Sequence, residues 1–80
     1  MARYQVRYVT YAAEQLDQMP RSMRTVFDAR IDDLERAPYV AGTYDDGWGS
    51  YSTTFGETGI IHYVFSDENA KVTIIRVMWC

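Results

Sequence analysis

Two prolines, Pro20 and Pro38, bracket the segment that most constrains how this chain can fold. Between them, apolar residues recur at three- and four-residue spacing, which predicts a helix with a single apolar stripe. Pro20 suits the first turn of that helix, and Pro38 ends it at Ala37. An isolated helix is only marginally stable in water, so we expect a second layer of structure to pack against the stripe. The stripe consists of Met23, Val26, Phe27, Ile31 and Leu34.

Strand patterns lie on both sides of this helix. Tyr4, Val6 and Tyr8 alternate with polar residues across positions 3–9, as they do in a half-buried strand. A shorter helix fits between this strand and Pro20. Beyond Pro38 the chain is rich in turn-forming residues up to Gly49. Three further strands are then predicted at positions 48–55, 59–65 and 72–79, joined by short polar turns that favour an antiparallel meander.

The resulting element order is β-α-α-β-β-β, which is typical of a two-layer α+β domain. We expect two helices on one face of a mostly antiparallel four-stranded sheet. Eighty residues suffice for one small core, so positions 1–80 are expected to form a single domain.

Composition excludes several kinds of site. His62 is the only histidine and Cys80 the only cysteine, so an intrachain disulfide and a Cys/His metal cluster are both excluded. We expect no metal and no cofactor. The longest uncharged apolar stretch, positions 59–65, is too short to span a bilayer, and no secretory-signal pattern opens the sequence. A cytoplasmic protein without a membrane partner is therefore expected.

The charge distribution argues against a surface built for nucleic-acid backbones. The whole chain carries a net charge of −3, with 8 Lys and Arg against 11 Asp and Glu. Positions 41–80 contain only Lys71 and Arg76 against five acidic residues. Phosphate-binding surfaces normally cluster Lys and Arg, and this half of the chain has the opposite balance.

The ordered set of elements resembles the RelE/ParE superfamily, the toxins of bacterial type II toxin–antitoxin modules. The resemblance implies a RelE/ParE-like fold and a small bacterial protein that pairs with an antitoxin. Some members of the superfamily cut mRNA on the ribosome, and others poison DNA gyrase. The matching segments are the strand at 4–8, the helix with Leu16, the junction at 19–21, the helix end at 31–38 and the strands at 59–65 and 72–77.

This chain departs from the nuclease-type members where the chemistry would lie. The strand that carries basic residues in those members reads Tyr-Ser-Thr-Thr-Phe at positions 51–55, and Gly59 stands where the next strand carries an arginine. The last residues are Met78, Trp79 and Cys80 in place of a His-Arg pair and a terminal tyrosine. RNA cleavage by 2′-hydroxyl attack needs a base, an acid and cationic stabilisation. These departures argue against ribosome-dependent mRNA cleavage.

Arg76, His62 and Trp79 are the candidate residues of a functional surface; no catalytic residue is assigned. Arg76 interrupts an apolar strand and could bind a phosphate or an antitoxin carboxylate, or simply pair with an acid within the sheet. His62 could act as a lone general base or stack at a groove, or be an ordinary strand histidine. Trp79 is expected at an interface. The sequence leaves open which sheet face Arg76 and His62 occupy.

The aromatic residues of the strands have two explanations. They suit the stacking of nucleic-acid bases, and they are also what strands and small cores prefer. They are Trp48, Tyr51, Phe55, Tyr63, Phe65 and Trp79.

Two classes of function therefore stay open. The first is a toxin-like protein that binds a cognate antitoxin and acts on the ribosome and mRNA or on gyrase. The second is a catalytically silent interaction module on the same fold, which could bind a partner strand or helix or form a homodimer.

Overall fold

The computed structural model describes residues 3–80 and confirms the α+β class. Within these residues no helix is both long and apolar enough to cross a bilayer. The helices are α1 (Thr10–Asp17), α2 (Arg21–Arg36) and α3 (Pro38–Ala41). The strands are β1 (Gln5–Tyr8), β2 (Thr43–Asp45), β3 (Ser50–Phe55), β4 (Gly59–Ser66) and β5 (Lys71–Met78).

The strands form one sheet in the order β1-β5-β4-β3-β2. The predicted antiparallel meander of β3, β4 and β5 is confirmed. The first strand, β1, pairs in parallel with the last, from Gln5 opposite Lys71 to Tyr8 opposite Ile74. All the other helices and strands lie between them in the chain, which gives the long connection that a parallel pair requires.

The predicted number of four strands is wrong by one. The segment after Pro38, expected to consist of turns, begins with α3 and continues as β2, an edge strand that pairs antiparallel with β3. This strand has only three residues, and all of them are exposed. Such a strand owes its conformation to hydrogen bonds with its neighbour, and it is too short to show an alternating pattern.

The stripe of α2 packs on the sheet as predicted at most of its positions. Phe27 and Leu34 are fully buried, and Phe27 meets Phe55 edge to face at 5.2 Å between ring centroids. Val26 is the exception, with 42% of its surface exposed at the border of the stripe. The core consists of Ala12, Leu16, Met19, Phe27, Ile31, Leu34, Phe55, Ile61, Tyr63, Val72, Ile74 and Val77.

Helix α1 covers the end of β5 that β1 does not reach. The pairing of β1 with β5 stops at Ile74, which leaves the backbone N–H of Val77 without a strand neighbour on that side. The Gln15 side chain of α1 accepts a hydrogen bond from this N–H at 2.9 Å. Since a buried backbone donor without a partner is costly, this contact fixes α1 against the sheet.

Tyr63 anchors α3 to the centre of the sheet. Its ring is fully buried, and its hydroxyl donates a hydrogen bond to the Pro38 carbonyl at 2.7 Å. Burial raises the pKa of Tyr63 to about 12, so the hydroxyl keeps its proton. The chain passes close by at Gly42, where a Cβ atom would overlap the Tyr63 hydroxyl and the Ser52 carbonyl. Only glycine fits this close approach.

Replacing Tyr63 with Phe should lower the free energy of unfolding by about 1–2 kcal/mol, because it leaves the buried Pro38 carbonyl without a donor. Urea denaturation measures the change. The matched control is Tyr39→Phe, since Tyr39 is 57% exposed and should tolerate loss of its hydroxyl. Equal stabilities for the two variants would contradict a structural role for the Tyr63 hydrogen bond.

Candidate functional site

A one-residue irregularity between β4 and β5 determines which way Arg76 points. His62 pairs with Arg76, whereas the next residue of β4, Tyr63, pairs with Ile74. Ile75 is therefore the extra residue of a β-bulge. Strict alternation would place Arg76 on the same face as Ile74, in the core beneath the helices. The bulge turns Arg76 to the opposite face, which we call the open face.

His62 lies beside Arg76 on this open face. Its neighbours in β4, Ile61 and Tyr63, are fully buried under the helices, so His62 points away from them. The structure thus decides the question that the sequence left open, and it brings two of the three candidate residues together.

Trp79 lies apart from this pair. It follows β5, packs partly buried against the core, and lines a groove of about 580 Å³ beside α1. Tyr11 and Gln15 of α1 line the same groove. Trp79 therefore belongs to a different surface from Arg76 and His62.

A third side chain, Trp48, completes the group on the open face. Its indole stacks on the His62 imidazole with 4.7 Å between ring centroids and 27° between the planes. The guanidinium carbon of Arg76 lies 5.5 Å from the centroid of the Trp48 ring, within cation–π range. We call Trp48, His62 and Arg76 the open-face cluster. His62 is only 6% exposed, while Trp48 is 57% exposed.

The turn between β2 and β3 presents Trp48 to the sheet. One carboxylate oxygen of Asp45 accepts hydrogen bonds from the backbone N–H groups of Gly47 at 2.8 Å and Trp48 at 3.3 Å. The Gly49 N–H donates to the Asp45 carbonyl at 2.9 Å. Gly49 has a φ of 67°, a left-handed conformation that glycine adopts without strain. Asp45 therefore positions the turn, and the turn folds the indole over His62.

Burial favours a neutral His62 at pH 7. Loss of solvent, and then the nearby positive charge of Arg76, lower the pKa of His62 below its ordinary value of 6.5, while Asp45 opposes them. A neutral imidazole carries one donor and one acceptor nitrogen. Within residues 3–80, His62 Nδ1 and Arg76 Nε are buried and find no hydrogen-bond partner. Such unpaired polar atoms cost about 1–3 kcal/mol each.

The cluster offers an imidazole that can accept a proton, a fixed cation and an aromatic surface. On the open face, β3 presents Ser50, Ser52 and Thr54, since Ser52 pairs with His62 and Thr54 with Ile60. Gly59, where the resemblance implies an arginine, lies on the helix-covered face opposite Phe55. A Cβ atom at Gly59 would overlap the Phe55 ring, so core packing excludes a larger side chain at this position.

The sequence selected Arg76 and His62 as candidates, named Trp48 only as one of six aromatic residues, and placed Asp45 only in a turn-rich segment. A sharper signal for Trp48 is that this large apolar residue stands between Gly47 and Gly49, where the turn-rich segment meets the strand predicted at 48–55. Turn positions are exposed, so an aromatic residue there must either contact the protein body or face a partner.

Comparisons with known proteins add a structural likeness. No family model matches the chain, and no curated protein does so significantly. The chain is similar to a chain of the toxin–antitoxin complex RelBE2 from Mycobacterium tuberculosis, with 30% identity and a TM-score of 0.80. This likeness covers 98% of this chain and 99% of that chain. A chain of the intact E. coli RelBE toxin–antitoxin complex has a TM-score of 0.83 and 96% coverage of both chains, and at 15% identity it shows the fold alone.

Stability should depend on the titration of His62. Its pKa is lower in the folded chain, so below about pH 6.5 the unfolded chain binds a proton that the folded chain does not. The free energy of unfolding should therefore fall as the pH is lowered from 7 to 5, and His62 should contribute at most about 1.4 kcal/mol per pH unit to this fall. Urea denaturation across this range measures the fall, and His62→Gln should flatten it. The same fall in both proteins would contradict the assignment.

Proposed function

The chain belongs to the RelE family of bacterial toxins, and on that premise we propose that it is the toxin component of a type II toxin–antitoxin module that binds a cognate antitoxin. The observation that carries the proposal is the likeness to a chain of the RelBE2 complex, which spans nearly the full length of both proteins. We place the protein in the bacterial cytoplasm, where a toxin of this kind would meet its antitoxin and its target.

We propose the open-face cluster as the surface that contacts the target. Arg76 takes part in none of the five ion pairs found among residues 3–80, so no acidic side chain lies within salt-bridge distance of it. Trp48 is more than half exposed, and aromatic and arginine side chains dominate binding surfaces. Trp79 and its groove beside α1 form a second candidate interface on the other side of the sheet.

The chemistry of the cluster supports target binding better than efficient mRNA cleavage. His62 can serve as a base and Arg76 as a cation, but the neighbouring positions of β3 supply hydroxyl groups rather than further cations or an acid. This favours, as a second candidate, a toxin such as a gyrase-directed one that acts by binding a protein. A catalytically silent interaction module is the outcome if the chain is not toxic.

Induced expression in a bacterial host tests the proposed surface. Wild type should arrest growth, and Arg76→Ala should relieve the arrest at matched protein levels, because it removes the positive charge of the cluster. Arg24→Ala is the matched control. It also removes one arginine, but from an exposed pair with Asp28 on α2, on the other side of the sheet, and should leave the arrest unchanged. Arrest by all three proteins would exclude the cluster as the toxic surface.

Antitoxin binding is tested separately with the product of the adjacent short reading frame. Purified wild type should form a stable complex with it and co-elute in size-exclusion chromatography, and co-expression should restore growth. A well-folded chain that binds the antitoxin without arresting growth would indicate the silent module. A chain that does neither would overturn the proposed function.

A further inference from the structure

We propose that Trp48 is a closed lid over a phosphate-binding site formed by Arg76 and His62, and that the site binds phosphate only after the indole swings away. This deepens the proposed function, and it rests on that function only for the source of the phosphate, which would be the nucleic acid of the target. With the lid closed, Trp48 would block the surface that we propose contacts the target.

The burial of His62 is the first observation in favour of a lid. None of the helices among residues 3–80 covers the open face, and Ile60 and Val64 on this face are each 37% exposed. His62 lies between them on the same strand and face, yet only 6% of it is exposed. The indole of Trp48 covers His62, with 4.7 Å between the ring centroids.

The unpaired polar atoms beneath the indole are the second observation. Arg76 Nε carries a hydrogen that finds no acceptor within residues 3–80, and His62 Nδ1 likewise has no partner. The two residues are direct cross-strand neighbours on the same face, so one incoming group can reach both side chains. A phosphate supplies several strong acceptor oxygens and a negative charge, which suits a guanidinium better than any neutral ligand. The apolar indole satisfies neither nitrogen.

The turn that carries Trp48 leaves space for the indole to rotate. Gly47 and Gly49 flank the indole, and nothing lies within 4 Å of where a Cβ atom at Gly49 would be. The hydrogen bonds from Asp45 hold the backbone of the turn rather than the side chain. Rotation of the indole breaks its stacking on His62 and its contact with Arg76 and leaves the hydrogen bonds of the turn in place.

The free energy of the contacts of Trp48 with His62 and Arg76 determines how much the closed lid weakens phosphate binding. Aromatic stacking and an exposed cation–π contact together favour the closed state by about fivefold or more. The apparent affinity of a site that is open only part of the time falls by the open fraction. Removing the lid should therefore tighten phosphate binding by about the same factor, fivefold or more.

Titration with inorganic phosphate, followed by NMR of the His62 imidazole protons, tests the lid. Wild type should bind weakly, Trp48→Ala at least about fivefold more tightly, and Trp48→Phe between them, since a smaller ring covers less. Arg76→Ala should abolish binding in either background. Arg24→Ala again controls for net charge and should match wild type. Urea denaturation verifies that each variant is folded, and Trp48→Phe keeps the test informative if Trp48→Ala unfolds.

Whether Trp48→Ala tightens or weakens phosphate binding decides whether the indole is a lid. Binding that is unchanged or weaker would show that the indole is not a lid, and the proposal would be overturned. Absence of phosphate binding in both wild type and Trp48→Ala would overturn it as well. Neither result bears on growth arrest or antitoxin binding. The proposed function therefore stands or falls on those assays, independently of the lid.

Discussion

The pairing of β4 with β5 around the extra residue Ile75 is the constraint on which the open face depends. In a regular strand, Val72, Ile74 and Arg76 would share one face, and a guanidinium would be buried among core side chains without a partner. The bulge lets the first two residues remain in the core while Arg76 leaves it. The one-residue bulge thus lets β5 keep apolar residues on the helix-covered face and a charged residue on the open face.

The open-face cluster has the reverse of the usual distribution of polar and apolar groups at a protein surface. Polar atoms that could serve a ligand are sheltered, whereas the apolar indole above them is exposed to solvent. The sheet fixes His62 and Arg76 by cross-strand pairing, and the short turn after β2 carries the indole that covers them. The strands thus hold the polar side chains while a surface turn supplies the covering one, as is common where loops over a stable frame carry binding residues.

Long periodic segments made most of the fold predictable. Helix α2 and the three C-terminal strands each carry a pattern that only one kind of element satisfies, so both layers could be inferred. Helix α3 and strand β2 could not, because their conformations depend on contacts with distant residues such as Tyr63 and Ser52. The sheet face that Arg76 occupies could not be predicted, because it depends on a one-residue bulge that no alternation rule anticipates. The contact between Trp48 and His62 joins elements that the sequence separates by a turn and a strand.

The parallel pairing of β1 with β5 has a consequence for synthesis of the protein. Gln5 lies opposite Lys71, so β1 is synthesised long before the strand with which it pairs. Contacts this far apart in sequence form late and slow the folding of a small domain. Arg76 is synthesised last of the cluster, so a prematurely terminated product lacks both the closed sheet and the charge on its open face. Because β5 holds both the partner of β1 and Arg76, its synthesis completes the sheet and the open-face cluster together.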